Sequence, residues 1–227
     1  MGKGKLRKWD ENKSFPHVFE PNLKDIVGGD TFMQGLWRRD FFKNDNPIVV
    51  ELGCGKGEYS VGMAELFPEK NFVGVDVKGH RFWRGAKTAH EKELSNVAFL
   101  RARIEFIQNY FGANEVDEIW LTFSDPQPKD EKGSRKLTGP PFIDRYRKFA
   151  KPDALINIKT DNTHLYEWTM EALPGCGCEI LDHSADVYGN WLNGLSPIDQ
   201  KVMSIRTHYE KIFSEKGSKI KFIKARL

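Results

Sequence analysis

Ile48-Val49-Val50-Glu51-Leu52-Gly53-Cys54-Gly55-Lys56-Gly57 decides the fold. An apolar, β-branched run stops at three glycines spaced two apart, and a periodic apolar segment with Val61, Met63, Ala64, Leu66 and Phe67 follows. That order reads as buried strand, tight turn and helix. Glycines at the turn let the backbone take positive φ and approach a ligand where a Cβ would collide. Further on, Phe72-Val73-Gly74-Val75-Asp76 reads as a second buried strand ending in a carboxylate. A glycine turn followed by an acid at the next strand end is the arrangement of a nucleotide-binding βαβ unit.

The glycine spacing separates two ligand classes. A dinucleotide fingerprint is G-x-G-x-x-G, its last glycine allowing close packing of helix on strand. Here the run is G-x-G-x-G, and Ser60 stands where that third glycine would be. Glu51, on the strand just before the turn, repels a pyrophosphate and suits a cation. S-adenosyl-L-methionine, with an ammonium and a sulfonium and no phosphate, is the expected ligand.

Outward from this unit, strands are expected at 47–52, 71–77, 97–102, 117–123 and 153–160, and in the tail at 177–186 and 219–226. Helices are expected at 57–67, 79–94, 104–111, 139–150, 163–173 and around 204–216. Strands alternating with helices predict an α/β fold: a mostly parallel, seven-stranded sheet with helices on both faces, closed by an antiparallel edge strand. Residues 1–44 read as a basic N-terminal arm and a helical extension, with one helix near 30–43, and residues 45–227 as the main domain. Lys3, Lys5, Arg7 and Lys8 give the first eight residues a basic, mobile character. Trp9, Phe15, Phe19, Phe32, Trp37, Phe41 and Phe42 are expected to pack on the main body.

The 227 residues are enough for one sizeable core. With 35 basic against 32 acidic residues the net charge is only +3, so the distribution of charge carries the information. Cys54, Cys176 and Cys178 are too few and too oddly spaced for a disulfide framework or a zinc site, which leads to the expectation of a cytoplasmic protein without metal. No apolar run is long enough to cross a membrane.

Ligands of open α/β sheets sit at the carboxyl ends of the strands. Those ends carry Glu51, Asp76, Arg103-Ile104-Glu105, Ser124-Asp125-Pro126 and Lys159-Thr160-Asp161, an acidic rim. Pro126 and Pro128 stiffen the exit after Asp125. Around the rim, basic residues gather in the arm, in the loop with Lys129, Lys132, Arg135 and Lys136, and in the tail from Lys201 to Arg226. Basic margins around an acidic pocket suit a polyanion that delivers one base to a cationic cofactor.

With these residues assembled, the chain resembles the bacterial-type tRNA (guanine-N7-)-methyltransferases, a class I, Rossmann-like family dependent on S-adenosyl-L-methionine. The resemblance covers roughly 45–226. It rests on Glu51-Leu52-Gly53-Cys54-Gly55-Lys56-Gly57, Asp76, Ser124-Asp125-Pro126 with Lys129, Thr160-Asp161, and Thr207-His208-Tyr209-Glu210, which is similar to the family's T-[KH]-[FY]-E pattern. It implies methyl transfer to N7 of a guanosine in the tRNA variable loop, position 46, by a monomer or homodimer. It further implies that Glu51, Gly53, Gly55, Asp76, Arg103, Ile104 and Asp125 hold the donor, that Asp125 is catalytic, and that Lys129, Asp161, Thr207 and Glu210 hold the guanosine. Three features depart from the family pattern: Ser124 and Gln127 replace a proline and a tryptophan, the basic run after them is reduced to Lys132, Arg135 and Lys136, and Arg103 stands where Asn or Asp is usual. Thr207 and Glu210 also have the spacing of a helix capping box, a purely structural role. Rival readings are an S-adenosyl-L-methionine-dependent methyltransferase acting on another RNA or a small molecule, a non-catalytic RNA-binding protein and a dinucleotide oxidoreductase.

Overall fold

The computed structural model describes residues 3–29 and 31–227. In chain order these form α1 (Lys3–Asn12), β1 (Val18–Phe19), α2 (Leu23–Val27), a π-helical stretch (Trp37–Phe42), β2 (Ile48–Leu52), α3 (Glu58–Leu66), β3 (Asn71–Asp76), α4 (Gly79–Glu91) and β4 (Val97–Arg101). A 3₁₀ stretch (Ile104–Asn109), β5 (Val116–Thr122), α5 (Pro140–Arg147), β6 (Ala150–Thr160), α6 (Thr163–Gly175), β7 (Glu179–Ser184), a π-helical stretch (Val187–Trp191), α7 (Pro197–Met203), α8 (His208–Glu215) and β8 (Lys221–Arg226) complete it.

The strands form one eight-stranded sheet in the order β1-β4-β3-β2-β5-β6-β8-β7. From β1 to β6 all neighbours are parallel; β8 runs antiparallel between β6 and β7. From β2 the chain moves outward through β3 and β4, then returns to β2's other side as β5. The order therefore reverses between β2 and β5, the place where open α/β sheets hold ligands.

Period-two alternation splits each strand between two cores. Ile48, Val50 and Leu52 join Trp37, Ile119 and Phe149 on one face. Val49 joins Tyr59, Phe72, Phe99, Trp120 and Phe222 on the other. Strands buried on both faces are what a doubly wound sheet requires.

The N-terminal segment differs from expectation. Val18 and Phe19 pair with Phe99 and Leu100, so this segment adds an eighth strand to the seven expected. Residues 3–8, expected as part of a mobile arm, belong to helix α1, which is laid on α4; residues 1 and 2 lie outside the described residues. Glu11 accepts from the Trp83 indole and the Lys87 ammonium, and the Asn12 amide donates to the Gly79 carbonyl. With little apolar surface of its own, α1 depends on these contacts. The helix expected near 30–43 is only the π-helical stretch Trp37–Phe42, because the Glu115 carboxylate takes the Gly35 and Trp37 N–H groups ahead of it. Trp37 is fully buried, its indole donating to the Tyr110 carbonyl.

Candidate active site

A cavity of about 890 Å³ opens at the switch point. Its walls come from the carboxyl ends of β2 to β6 (Gly53, Gly55, Asp76, Arg103, Ile104, Thr122, Asp125, Asp161), from Arg135, Leu137 and Phe142, and from Tyr209 and Phe213 of α8. Six of the seven residues expected on the donor line it; Glu51 does not. Of the four expected on the guanosine, only Asp161 lines it.

The turn after β2 is built on strain-free positive φ, +81° at Gly53, +57° at Gly55 and +76° at Gly57. The Gly53 and Cys54 N–H groups both donate to the Val75 carbonyl, at 2.8 and 2.9 Å, clasping the turn to β3. Asp76 caps the clasp: one carboxylate oxygen accepts from Gly55 N–H at 3.1 Å, the other from Lys78 N–H at 2.8 Å. Burial raises its carboxyl above the ordinary value, opposed by these bonds and by the charge of Arg81.

Glu51 sits behind the turn rather than in the cavity. Its carboxylate accepts from Ser60 N–H and Oγ on one oxygen and from Thr122 Oγ1, 2.6 Å away, on the other. Burial pushes it up to about 7, against those bonds. Ser60 is thus the partner of Glu51. The close helix–strand approach it was compared with is made by Gly57, where a Cβ would lie 2.5 Å from the Phe99 ring, and by Gly85, where one would lie 2.7 Å from the Lys56 carbonyl.

The Asp125 loop carries two non-glycine residues in the left-handed region, Phe123 (φ +55°) and Gln127 (φ +44°). Asp125 is exposed at the cavity wall, and its carboxylate accepts from Gln127 N–H at 3.0 Å. What fixes the loop is Lys136, 1 % exposed, whose ammonium donates to the Pro126 and Gln127 carbonyls and lies over the Trp168 ring. Lys136 therefore leaves the set of surface cations with which its sequence neighbours group it, whereas Lys129 is exposed and away from the cavity wall. Lys221 also leaves that set, donating to the Asp161 carbonyl. Arg103 is exposed and bonded to Glu105, at 3.0 Å.

Thr207 and Glu210 turn inward. Thr207 Oγ1 accepts the Glu210 N–H at 3.1 Å as the N-cap of α8. The Glu210 side chain, wholly buried, meets the equally buried Lys159 at 3.0 Å and accepts from the Tyr188 hydroxyl. Burial draws Lys159 down to about 8, against the attraction of Glu210. In this conformation the Glu210 carboxylate is committed to Lys159 and Tyr188. Lys159, Tyr188 and Lys136 carry no motif that marks them; the packing of β6 against the 203–210 segment reveals the first two, and the carbonyls of the Asp125 loop reveal Lys136. Tyr209 was within reach, as the aromatic member of Thr207-His208-Tyr209-Glu210.

Beside the main cavity lies a second, of about 330 Å³, lined by Lys8, Gly55, Lys56, His80, Arg81, Trp83, Arg84 and Tyr209. Lys8, Lys56, Arg81 and Arg84, with no acid among the described lining residues, make the groove electropositive, and His80 is held below its ordinary value by burial and by the positive charge of Lys5, Arg81, Lys78 and Lys8. Among the described residues, no helix is long and apolar enough to cross a membrane.

Residues 45–223 match the family described as "Putative methyltransferase". Over 225 residues, 99% of this chain and 98% of the relative, the chain is 45% identical to a tRNA (guanine-N(7)-)-methyltransferase of Christiangramia forsetii. It is 44% identical to one from Bacteroides thetaiotaomicron, over 100% of this chain and 87% of the relative. Among solved structures, a 16S rRNA methyltransferase, KamB, superposes with a TM-score of 0.61 at 15% identity, covering 82% of this chain and 90% of that one, a likeness of fold alone.

Proposed function

Since the chain belongs to the tRNA (guanine-N(7)-)-methyltransferase family, we propose that it transfers the methyl group of S-adenosyl-L-methionine to N7 of a guanosine in the tRNA variable loop, position 46, in the cytoplasm. The observation that carries this is the convergence of Gly53, Gly55, Asp76, Arg103, Ile104, Asp125 and Asp161 on one cavity at the switch point.

The cavity suits that donor. Side-chain-free Gly53 and Gly55 leave the floor open, and Asp76 keeps lone pairs on both oxygens after its two backbone bonds. The rim acids Asp76, Asp125 and Asp161 favour cations over phosphates. Bound there, the donor supplies an electrophilic methyl on a sulfonium. Glu51 acts from behind, bracing β2 to α3 and β5 through Ser60 and Thr122.

Guanine N7 presents an in-plane lone pair in the major groove, so attack needs no prior deprotonation. The product base is cationic. Catalysis is then positioning and electrostatics, and Asp125 does both: its carboxylate favours positive charge on the ring and accepts from the base's N–H edge. Asp161, on the neighbouring strand end, holds the base from the other side. The electropositive groove with Lys8, Lys56, Arg81 and Arg84 supports a polyanionic substrate, since it opens beside the donor cavity and shares Gly55, Arg81 and Tyr209 with it.

The test is transfer from radiolabelled S-adenosyl-L-methionine to unmodified bulk tRNA, followed by cleavage specific for 7-methylguanosine. Label at a single variable-loop guanosine is expected, with KM for tRNA rising steeply with salt. Donor binding without labelled tRNA overturns the substrate.

A further inference from the structure

Tyr209 is 41% exposed, yet it is no ordinary surface side chain: it lines both the donor cavity and the basic groove beside it. Its ring edge would meet a Cβ on Gly55 at 4.0 Å, so it stands over the glycine turn. One residue later Glu210 is wholly buried. Successive helical residues point about 100° apart, so anchoring Glu210 inward sets Tyr209 outward. The anchor is Lys159, whose ammonium lies 3.0 Å from each Glu210 oxygen and donates to the Met203 carbonyl at 2.8 Å and toward the Ile205 carbonyl at 3.4 Å. Tyr188 ties the same pieces, its hydroxyl donating to Glu210 and lying 3.0 Å from the Met203 carbonyl. Every polar bond of the Lys159 ammonium thus goes to the segment that carries Tyr209 or to Tyr188, which clamps it.

We propose that Tyr209 is the stacking platform for the target base and that Lys159, through Glu210, is the positioning residue that holds this platform at the mouth of the donor cavity. The inference rests on the proposed function. A base that reacts with a donor buried at strand ends must leave its own stack, and an aromatic face at the entrance replaces the lost stacking. Glu210 on this view orients Tyr209 and does not touch the guanosine. Lys159 works at one remove, fixing an aromatic on another element.

The test compares Tyr209→Ala, Tyr209→Phe, Lys159→Met and the double variant Lys159→Met/Tyr209→Ala in methyl transfer to unmodified tRNA, with donor affinity measured separately. Loss of one base–aromatic stack lowers kcat/KM for tRNA by about 10- to 100-fold. That drop is expected for Tyr209→Ala, with donor affinity unchanged, and Tyr209→Phe recovers most of it. Lys159→Met gives a similar drop, and the double variant falls no further than Tyr209→Ala alone, since both act through one platform. Where Lys159→Met does not fold, Glu210→Gln and Tyr188→Phe loosen the same clamp and take its place in the cycle. A tRNA with 2-aminopurine at the target position supplies a readout that simple destabilisation does not move. Its fluorescence, quenched by stacking in free tRNA, stays quenched on binding to the native protein, where Tyr209 replaces the lost stack, and brightens with Tyr209→Ala.

A Tyr209→Ala protein that keeps native kcat/KM, or leaves bound 2-aminopurine quenched, overturns the platform. Additive losses in the cycle overturn the role of Lys159. A native protein that methylates no tRNA at all defeats the proposed function, and the inference falls with it; a native protein that methylates tRNA alongside an unaffected Tyr209→Ala defeats the inference alone.

Discussion

The ammonium of Lys159 and the carboxylate of Glu210 lie 3.0 Å apart with neither side chain exposed to solvent. Two ions removed from water stabilise a fold only while they neutralise each other. Lys159→Met leaves the Glu210 carboxylate with the Tyr188 hydroxyl as its remaining side-chain donor and is expected to cost about 3–5 kcal/mol. The double variant Lys159→Met/Glu210→Leu removes both charges and is expected to be more stable than Lys159→Met alone. Urea unfolding of the three proteins checks this, and a double variant less stable than the single one would refute it.

Asp125 and Asp161 line the same cavity from neighbouring strand ends but stand in different surroundings. Asp125 is exposed and bonded to Gln127 N–H, whereas Asp161 is half-buried and burial lifts its carboxyl above the ordinary value. Asp125→Ala and Asp161→Ala are each expected to lower methyl transfer at least about 100-fold, the scale of losing one preorganised electrostatic contact to the reacting group. Asp161→Ala is expected to keep donor binding. Calorimetric titration with S-adenosyl-L-methionine decides, and lost affinity in Asp161→Ala would move that residue to the donor.

The parallel strands β2 to β6 were legible because each holds an apolar run cut off by glycine or charge, whereas β7 and β8 show only short strand-like pieces in the tail; the switch point followed from the order of the strands. Asp76, Asp125 and Asp161 were legible for the same reason: a residue that ends a parallel strand must face the crevice. β1 was not, since two residues, Val18 and Phe19, cannot display an alternation, and pairing with Phe99 and Leu100 alone makes them a strand. Nor were the roles of Lys136 and Lys159. A lysine in a basic stretch reads as a surface cation until tertiary packing seals it against carbonyls, as the Pro126 and Gln127 carbonyls do for Lys136. Thr207 and Glu210 matched both a substrate-binding pattern and a capping box, and spacing could not separate the two; Thr207 caps α8, while the Glu210 carboxylate turns to Lys159 instead of completing the box.

Glu51 gives a pH dependence with a definite sign. Its carboxyl is raised by burial from 4.5 to about 7, so between these values the folded protein holds a proton that the unfolded chain has released. The contribution of Glu51 to stability is therefore full below about 4.5 and is lost as the pH rises through about 7, the difference amounting to ~3 kcal/mol. Glu51→Gln stays neutral throughout. Relative to this variant the native protein should lose stability from pH 4.5 to 7 in parallel denaturation series. A constant difference across that range would mean that Glu51 is charged throughout.

Gly85 lies in α4, outside every glycine motif of the sequence, yet the donor turn leans on it. A Cβ there would come within 2.7 Å of the Lys56 carbonyl, 2.9 Å of Gly57 Cα and 3.0 Å of the Phe99 ring, all on parts that cannot swing aside cheaply. Gly85→Ala must therefore push α4 away from the turn. Overpacking of this kind costs about 1–3 kcal/mol. Because the displaced atoms belong to the turn that contains Gly53 and Gly55, the loss should not be one of stability alone. Donor affinity is expected to fall as well, while Gly175→Ala, with open space around its Cβ, leaves both unchanged. Titration of the two variants with S-adenosyl-L-methionine separates the cases. Native donor affinity in a destabilised Gly85→Ala protein would mean that the turn keeps its shape without the helix behind it.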